Sequence, residues 1–356
     1  MKQFIICLLL LLHVFVEAQS QQNKLDSLHL ALKNAANDTI RMEVYHQLGH
    51  NYFKDSSVFN FVQAISIAKK LNLRLYEANL LNDRAYRMTW DNYPQALDLY
   101  LQALKIAEDP VSEKNVWDLP PGSTAHNERL NTLGSIHFNL SFLYGNTDNT
   151  EKQISSLMLA KQHAESVQDS GLNMLTNLNL GNVYFDKLKK SDSALYFEQR
   201  ALTFVSKSAG GDNEGWVFSA IGEIYKEKKD FDLARDAFQH GLKLMQEYNN
   251  LSGIGGICLS LSNFYKTINK PDSGLLYATK ALETFKILQG RSGIANAYSS
   301  LSSAFDGLKK TDSAFAYLKL ATALHDSLNN VEKKNRYAYQ QSISPNFSLC
   351  LNSFIF

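Results

Sequence analysis

Seven times along this chain a residue is followed three positions later by an aromatic ring. The pairs are Gly49/Tyr52, Asp83/Tyr86, Ser141/Tyr144, Gly181/Tyr184, Gly222/Tyr225, Ser262/Tyr265 and Ser302/Phe305. The first member is Gly or Ser everywhere except at Asp83. A second series, Ala68, Ala103, Ala160, Ala201, Gly241, Ala281 and Ala321, follows in register, with successive spacings of 35, 57, 41, 40, 40 and 40 residues. A 356-residue chain would ordinarily be expected to hold about two domains. Self-similarity at a fixed period overrides that expectation: one supersecondary unit is repeated, and each copy buries its apolar face on its neighbours.

The spacing within a unit predicts two helices of about four turns packed as an antiparallel hairpin. Small residues mark where the backbones approach most closely, and the aromatic three positions on shares their helical face and fills the gap beside the partner. Between the helices lie Lys189-Lys190-Ser191-Asp192-Ser193, Asn269-Lys270-Pro271-Asp272-Ser273 and Lys309-Lys310-Thr311-Asp312-Ser313. The Asp and Ser residues there are expected to cap the second helices, with Pro271 stopping the helix before it.

The run Leu180-Gly181-Asn182-Val183-Tyr184 with Ala194-Leu195 and Ala201-Leu202, and the run Ile221-Gly222-Glu223-Ile224-Tyr225 with Ala234, Phe238 and Gly241, resemble tetratricopeptide repeats. The period is longer than the usual 34 residues, the early tryptophan is mostly missing (Trp216 comes nearest), and the terminal proline is absent. The resemblance implies an all-α fold, a right-handed superhelix of helix hairpins over residues 40–330. Residues 19–39 supply a capping helix, with Leu25, Leu28 and Leu32 on one face, because a terminal repeat needs its open end covered. The turn signature also resembles the exported arrays that precede bacterial sensor histidine kinases.

Lys2 precedes a 13-residue apolar run from Phe4 to Val16, followed by Glu17-Ala18-Gln19-Ser20. This predicts a secretory signal over residues 1–18, cleaved after Ala18, and an exported, periplasmic product. Thirteen residues fall short of the roughly 20 that span a bilayer, so no membrane span is expected after cleavage. Cys7 leaves with the signal, and Cys258 and Cys350 are too far apart to make a disulfide framework. With 36 Lys+Arg against 35 Asp+Glu, no basic face is available for nucleic acid.

Two places break the rhythm. Residues 109–127 form an insertion in which Pro120, Pro121 and Gly122 exclude a continuous helix. It is either a loop folded toward the concave surface with Trp117 as its anchor, or a passive insertion whose Trp117 pins it to a neighbouring helix. Residues 331–356 read as a charged helix followed by an irregular tail, which is either a natural end or the mark of an interrupted gene.

Catalytic chemistry is not legible. His46 and His50 lie one helical turn apart and could share a metal, but the stretch between them lacks a catalytic glutamate and no third ligand is visible, so no metal is expected. Gly253-Ile254-Gly255-Gly256 lacks phosphate-loop spacing and reads as a glycine-rich helix start. Neither an active site nor a cofactor is assigned. The tetratricopeptide resemblance places the residues three before, one after and four after each small residue on a concave surface. Those singled out are His46, His50, Arg84, Arg87, Phe138, Phe142, Asn182, Phe185, Glu223, Lys226, Asn263 and Lys266. Asparagines there can engage a peptide backbone with donor and acceptor, phenylalanines can anchor it, and arginines can pair with acidic groups. The function expected is a non-catalytic scaffold binding a peptide or protein in its groove. The alternative is the detached sensory region of a histidine kinase or transcriptional regulator.

Overall fold

The structure, a computed structural model, describes residues 22–52, 54–205 and 212–342. The expected signal, with Cys7, lies outside the described residues, and so do Cys350 and the irregular tail. Among the described residues every regular element is helical. Helix α1 covers 22–33. It is followed by α2 (Asp38–Asn51), α3 (Lys54–Lys70), α4 (Arg74–Met88), α5 (Tyr93–Glu108) and a 3-10 turn (Pro110–Lys114). Next come α6 (Ala125–Asn146), α7 (Thr150–Val167), α8 (Ser170–Asp186), α9 (Ser191–Val205) and α10 (Asp212–Glu227). The chain then continues through α11 (Phe231–Glu247), α12 (Leu251–Thr267), α13 (Pro271–Ile287), α14 (Arg291–Gly307) and α15 (Thr311–Ser342). No described helix is long and apolar enough to cross a membrane.

The chain divides into two compact units, residues 1–143 and 144–356, with the boundary inside α6. In the first unit α2 packs on α3 and α4 on α5, and α3 lies against α4. Helix α1 packs on α2: Leu28 is buried with Val44 and Leu48, and Leu25, Leu32, Tyr45 and Tyr52 surround them. In the second unit the hairpins are α8/α9, α10/α11, α12/α13 and α14/α15, and α8, α10, α12 and α14 also touch one another in sequence. The first helices of these hairpins therefore share one face.

The ladder positions explain why the hairpins form. A Cβ built on Gly222 would sit 2.6 Å from the ring of Phe238, and one on Gly241 would sit 2.8 Å from the carbonyl oxygen of Gly215. Only a residue without a side chain permits these approaches. The glycine-rich start of α12 has the same cause: a Cβ on Gly253 would lie 2.1 Å from Met245 Sδ, and one on Gly255 would lie 2.8 Å from Phe285. Cys258 is fully buried in the same cluster, and burial pushes its thiol up to about 11.

In four of the pairs the aromatic also closes the turn through its backbone. The carbonyls of Tyr144, Tyr225, Tyr265 and Phe305 accept from the N–H groups of Asn149, Asp230, Lys270 and Lys310, at 2.9, 2.9, 2.8 and 2.9 Å. This six-to-one closure needs a left-handed residue just before the donor. Asp148, Lys229, Asn269 and Lys309 hold φ of 57, 66, 54 and 58° there. Because left-handed backbone is strained for a side chain bearing a Cβ, Lys229→Gly is expected to raise stability by about 0.5–1 kcal/mol. A urea midpoint that stays or falls would contradict it.

The capping expectation needs correction. Asp192, Asp232, Asp272 and Asp312 lie inside the first turns of their helices rather than at the caps, where they favour the positive end of the helix dipole. Pro271 occupies the first turn of α13, and the cap residues Asp230 and Lys270 make no side-chain bond. Side-chain caps come instead from Asn37, Asn92, Asn149, Asp169 and Asn250, mostly before first helices. Nor does a boundary appear near residue 330, since α15 carries the second helix of the last hairpin and the charged stretch without a break. Its far end returns to the start of the second unit, where Arg336 pairs with Asp148 and Tyr339 is buried.

Candidate functional site

Within the first unit, the residues expected on the concave face gather around a polar cluster. His46 and His50 stand on one face of α2, and Asp83 comes from α4, where the repeat otherwise places a small residue. His46 Nε2 lies 2.7 Å from Asp83 Oδ2, His50 Nε2 lies 3.2 Å from the same oxygen, and the two nitrogens are 3.0 Å apart. The sequence offers the histidines no third partner; folding supplies one from 33 to 37 residues away. Behind them, His46 Nδ1 is 2.9 Å from the Tyr76 hydroxyl, which donates to Glu43. Since that hydroxyl proton is already committed to Glu43, His46 Nδ1 is the donor to Tyr76.

Burial works against charge on His46, but the hydrogen bond to Asp83 and the Glu43 carboxylate 3.9 Å from Nδ1 outweigh it and push its pKa up to about 9. The neighbouring His46, paired at 3.9 Å, holds Glu43 down at about 2, against the opposing effect of its burial, with the Tyr76 hydroxyl adding to it. For Asp83 burial acts upward, and the two histidines bring its carboxyl below the usual range. Burial and Glu43 together raise the Tyr76 phenol.

The insertion adjoins this cluster. Trp117 meets Tyr76 edge-on at 5.2 Å between centroids, and Asn115 donates to the carbonyls of Leu71 and Asn72 at 3.1 and 3.2 Å, closing the end of α3. Glu113 is held by Arg129 at 2.5 Å and by His126 at 3.0 Å. The loop is thus anchored at both ends, and Trp117 covers the tyrosine behind the histidines.

Arg87 donates to the carbonyl of His50. Arg84 is partly buried with its Nε unpartnered, and burial lowers its pKa. Phe138 and Phe142 meet edge-on at 5.1 Å. Phe142 lies 6.3 Å from both Tyr86 and Trp90, of which Trp90 is 47% exposed. These two rings extend the aromatic surface; Tyr86 entered the sequence reading only as a packing residue and Trp90 not at all.

The second unit brings its predicted positions into two clefts. One, of about 320 Å³, holds Asn263 and Lys266 of α12 facing Ser299, Ser303 and Asp306 of α14, and Lys266 Nζ reaches Ser303 Oγ at 3.2 Å. The other, of about 130 Å³, holds Asn182 and Phe185 of α8, Glu223 of α10, and Glu198 of α9. Lys226 pairs with Glu223.

Sequence reasoning missed Glu198. Three residues before each small residue of the second series stand Ile65, Tyr100, Leu157, Glu198, Phe238, Ala278 and Leu318. In that row, otherwise apolar and buried except at Leu318, Glu198 is the one charge, and its departure from the pattern was the available signal. It is fully buried, neither carboxylate oxygen has a partner, and burial raises its pKa well above the usual range. A Cβ on Gly181 would lie 2.2 Å from Glu198 Oε1, so the ladder glycine makes the room into which the carboxyl points.

Residues 172–247 match the model of the tetratricopeptide repeat family. No curated protein matches the chain. Among solved structures, it is similar to aspartyl phosphate phosphatase F from Bacillus subtilis, with a TM-score of 0.59 and 15% identity over 81% of this chain and 69% of that one. Apo RapI gives a TM-score of 0.59 and 12% identity over 82% and 99% of the two chains. The Rap conjugation gene regulator of plasmid pLS20, in complex with the Phr* peptide, gives 0.53 and 12% over 88% and 96%. At such identities the likeness is one of fold: the chain is an all-α helical-repeat solenoid of stacked helix pairs, and the match to the tetratricopeptide family model is confined to residues 172–247.

Proposed function

We propose that the chain is a non-catalytic scaffold that binds a peptide or protein across the face shared by α8, α10, α12 and α14, and that the Glu198 cleft receives a cationic side chain of that ligand. The observation that carries this reading is the buried, unpartnered carboxyl of Glu198, opening on a cleft with Asn182, Phe185 and Glu223. A buried acceptor without a partner is costly, and an ammonium or guanidinium group entering the cleft would provide the partner and restore the carboxylate. Asn182 and Asn263 suit the ligand's backbone, and the larger cleft beside Asn263 accommodates a second side chain. The peptide complex of the similar plasmid regulator supports a peptide-binding use of this architecture. The Lys2-led apolar segment supports the further proposal that the scaffold works outside the cytoplasm; mature protein beginning at Gln19 in a periplasmic fraction would support this, and an intact leader in the cytosol would oppose it.

The direct test is an array of immobilised random 12-residue peptides probed with the purified chain. Bound peptides are expected to be enriched in Lys and Arg. Glu198→Gln should weaken the best of them about tenfold, since a charge-assisted contact of this kind contributes roughly 1.5 kcal/mol. Captured peptides without basic enrichment, or unchanged affinity in both Glu198→Gln and Asn182→Ala, would sink the assignment.

A further inference from the structure

His46, His50 and Asp83 present three donor atoms in a triangle with edges of 2.7, 3.0 and 3.2 Å. Hydrogen bonds do not satisfy that triangle. Each nitrogen carries at most one proton, and if both protons point to Asp83 Oδ2, the third edge brings two donors together. A cation near the centre serves all three atoms at once. With metal–ligand bonds of about 2.05 Å, adjacent ligands lie about 2.9 Å apart in octahedral and about 3.3 Å apart in tetrahedral geometry. The observed edges bracket the first of these and approach the second.

A second, independent observation is the orientation of His46. A histidine that binds metal through one nitrogen usually donates from the other to a fixed acceptor. Here Nδ1 donates to Tyr76, and Tyr76 donates to Glu43, so the ring is held with Nε2 toward the triangle. Trp117 packs on Tyr76 and steadies this support. His50 leaves 44% of its side chain exposed, so one side of the cluster faces solvent.

We propose that His46, His50 and Asp83 form a two-histidine, one-carboxylate site for one first-row divalent metal ion of the Zn2+ class, with its remaining coordination positions open to water or an incoming donor. Two imidazoles and one carboxylate suit Zn2+, Co2+ and Ni2+ rather than Ca2+ or Mg2+, which prefer all-oxygen shells. The ion would tie α2 to α4 beneath the insertion. The site lies wholly in the first unit and stands or falls apart from the peptide reading.

The test uses the full chain without a polyhistidine tag, stripped with chelator and titrated with Co2+ by visible absorption, then with Zn2+ in competition. One saturating Co2+ per chain is expected, displaced by Zn2+, together with a Zn2+-dependent rise in melting temperature. His50→Gln and Asp83→Asn should each weaken binding by about 100-fold or more, and Tyr76→Phe by about tenfold, because it removes the hydroxyl that holds the His46 ring in place. The His50 change touches a half-exposed side chain, so unaltered far-ultraviolet dichroism will separate loss of ligand from loss of fold. Absence of one-to-one saturation, or unchanged affinity in both ligand variants, would leave a purely hydrogen-bonded cluster and overturn the proposal.

Discussion

Phe238→Ala is expected to lower stability by about 3–5 kcal/mol, the cost of an emptied aromatic site that its surroundings cannot refill. The ring is fully buried between α10 and α11, 5.9 Å from Phe264 by centroid. The position facing it is Gly222, which has no side chain to move into the space. Gly222→Val should cost about 2–3 kcal/mol for the opposite reason, since its Cβ would begin 2.6 Å from the ring. In combination the two costs should fall short of their sum by at least about 1 kcal/mol, because valine's methyls occupy the volume the ring vacates. Urea unfolding followed by dichroism and by tryptophan fluorescence, to which Trp216 on the same cluster contributes, measures the cycle. Strict additivity would mean that glycine and ring do not share that space.

Glu198→Leu is expected to raise stability by about 2 kcal/mol at pH 8 and to leave it nearly unchanged at pH 4, as for other buried charges exchanged for apolar side chains. The sign follows from burial, which raises the folded-state pKa of Glu198 well above 4.5. Between the unfolded and folded values the native chain binds the extra proton, so stability falls as pH rises through that window. The contribution is complete below the unfolded pKa and lost as pH passes the folded one. Leucine suits the position, since Leu157 fills its counterpart in α7. Because the two proteins differ at this residue alone, the difference between wild type and variant across pH 4 to 8 isolates Glu198. A difference that is constant with pH would contradict the assignment. The same substitution should abolish capture of basic peptides, a gain in stability at the expense of binding.

Both residues bear on how much was legible beforehand. The ladder could be read because hairpin packing imposes a steric rule at fixed spacing: no Cβ where backbones meet, and a ring where they part. Gly222 and Gly241 obey it, and the turns after Tyr144, Tyr225, Tyr265 and Phe305 follow from the same register. The cap assignments failed for a local reason, since a turn in which a left-handed lysine and the preceding aromatic's carbonyl close the chain sets the helix start earlier than the Asp and Ser residues do. For the clusters the sequence carried only exceptions. Asp83 stood where a small residue was due and Glu198 where an apolar one was due. Their meaning depends on what comes near them, and nothing in α4 alone points to His46, nor in α9 alone to Asn182. Trp117 carried two readings; its ring lies on Tyr76, beside the histidines, so the insertion supports the polar cluster.

The amino-acid order alone determined the class of fold and the hairpin unit with its register, because these follow from short-range periodicity repeated along the chain. Tertiary structure decided which polar side chains meet. Two histidines one turn apart became a three-donor cluster only when α4 packed beside α2, and a glutamate in an apolar row became an unpartnered acid in a cleft only when α8 presented a glycine to it. Periodicity reports which face of a helix is buried; the identity of the partner across that face is set by how helices distant in sequence stack, and there the chemistry of this protein is assembled.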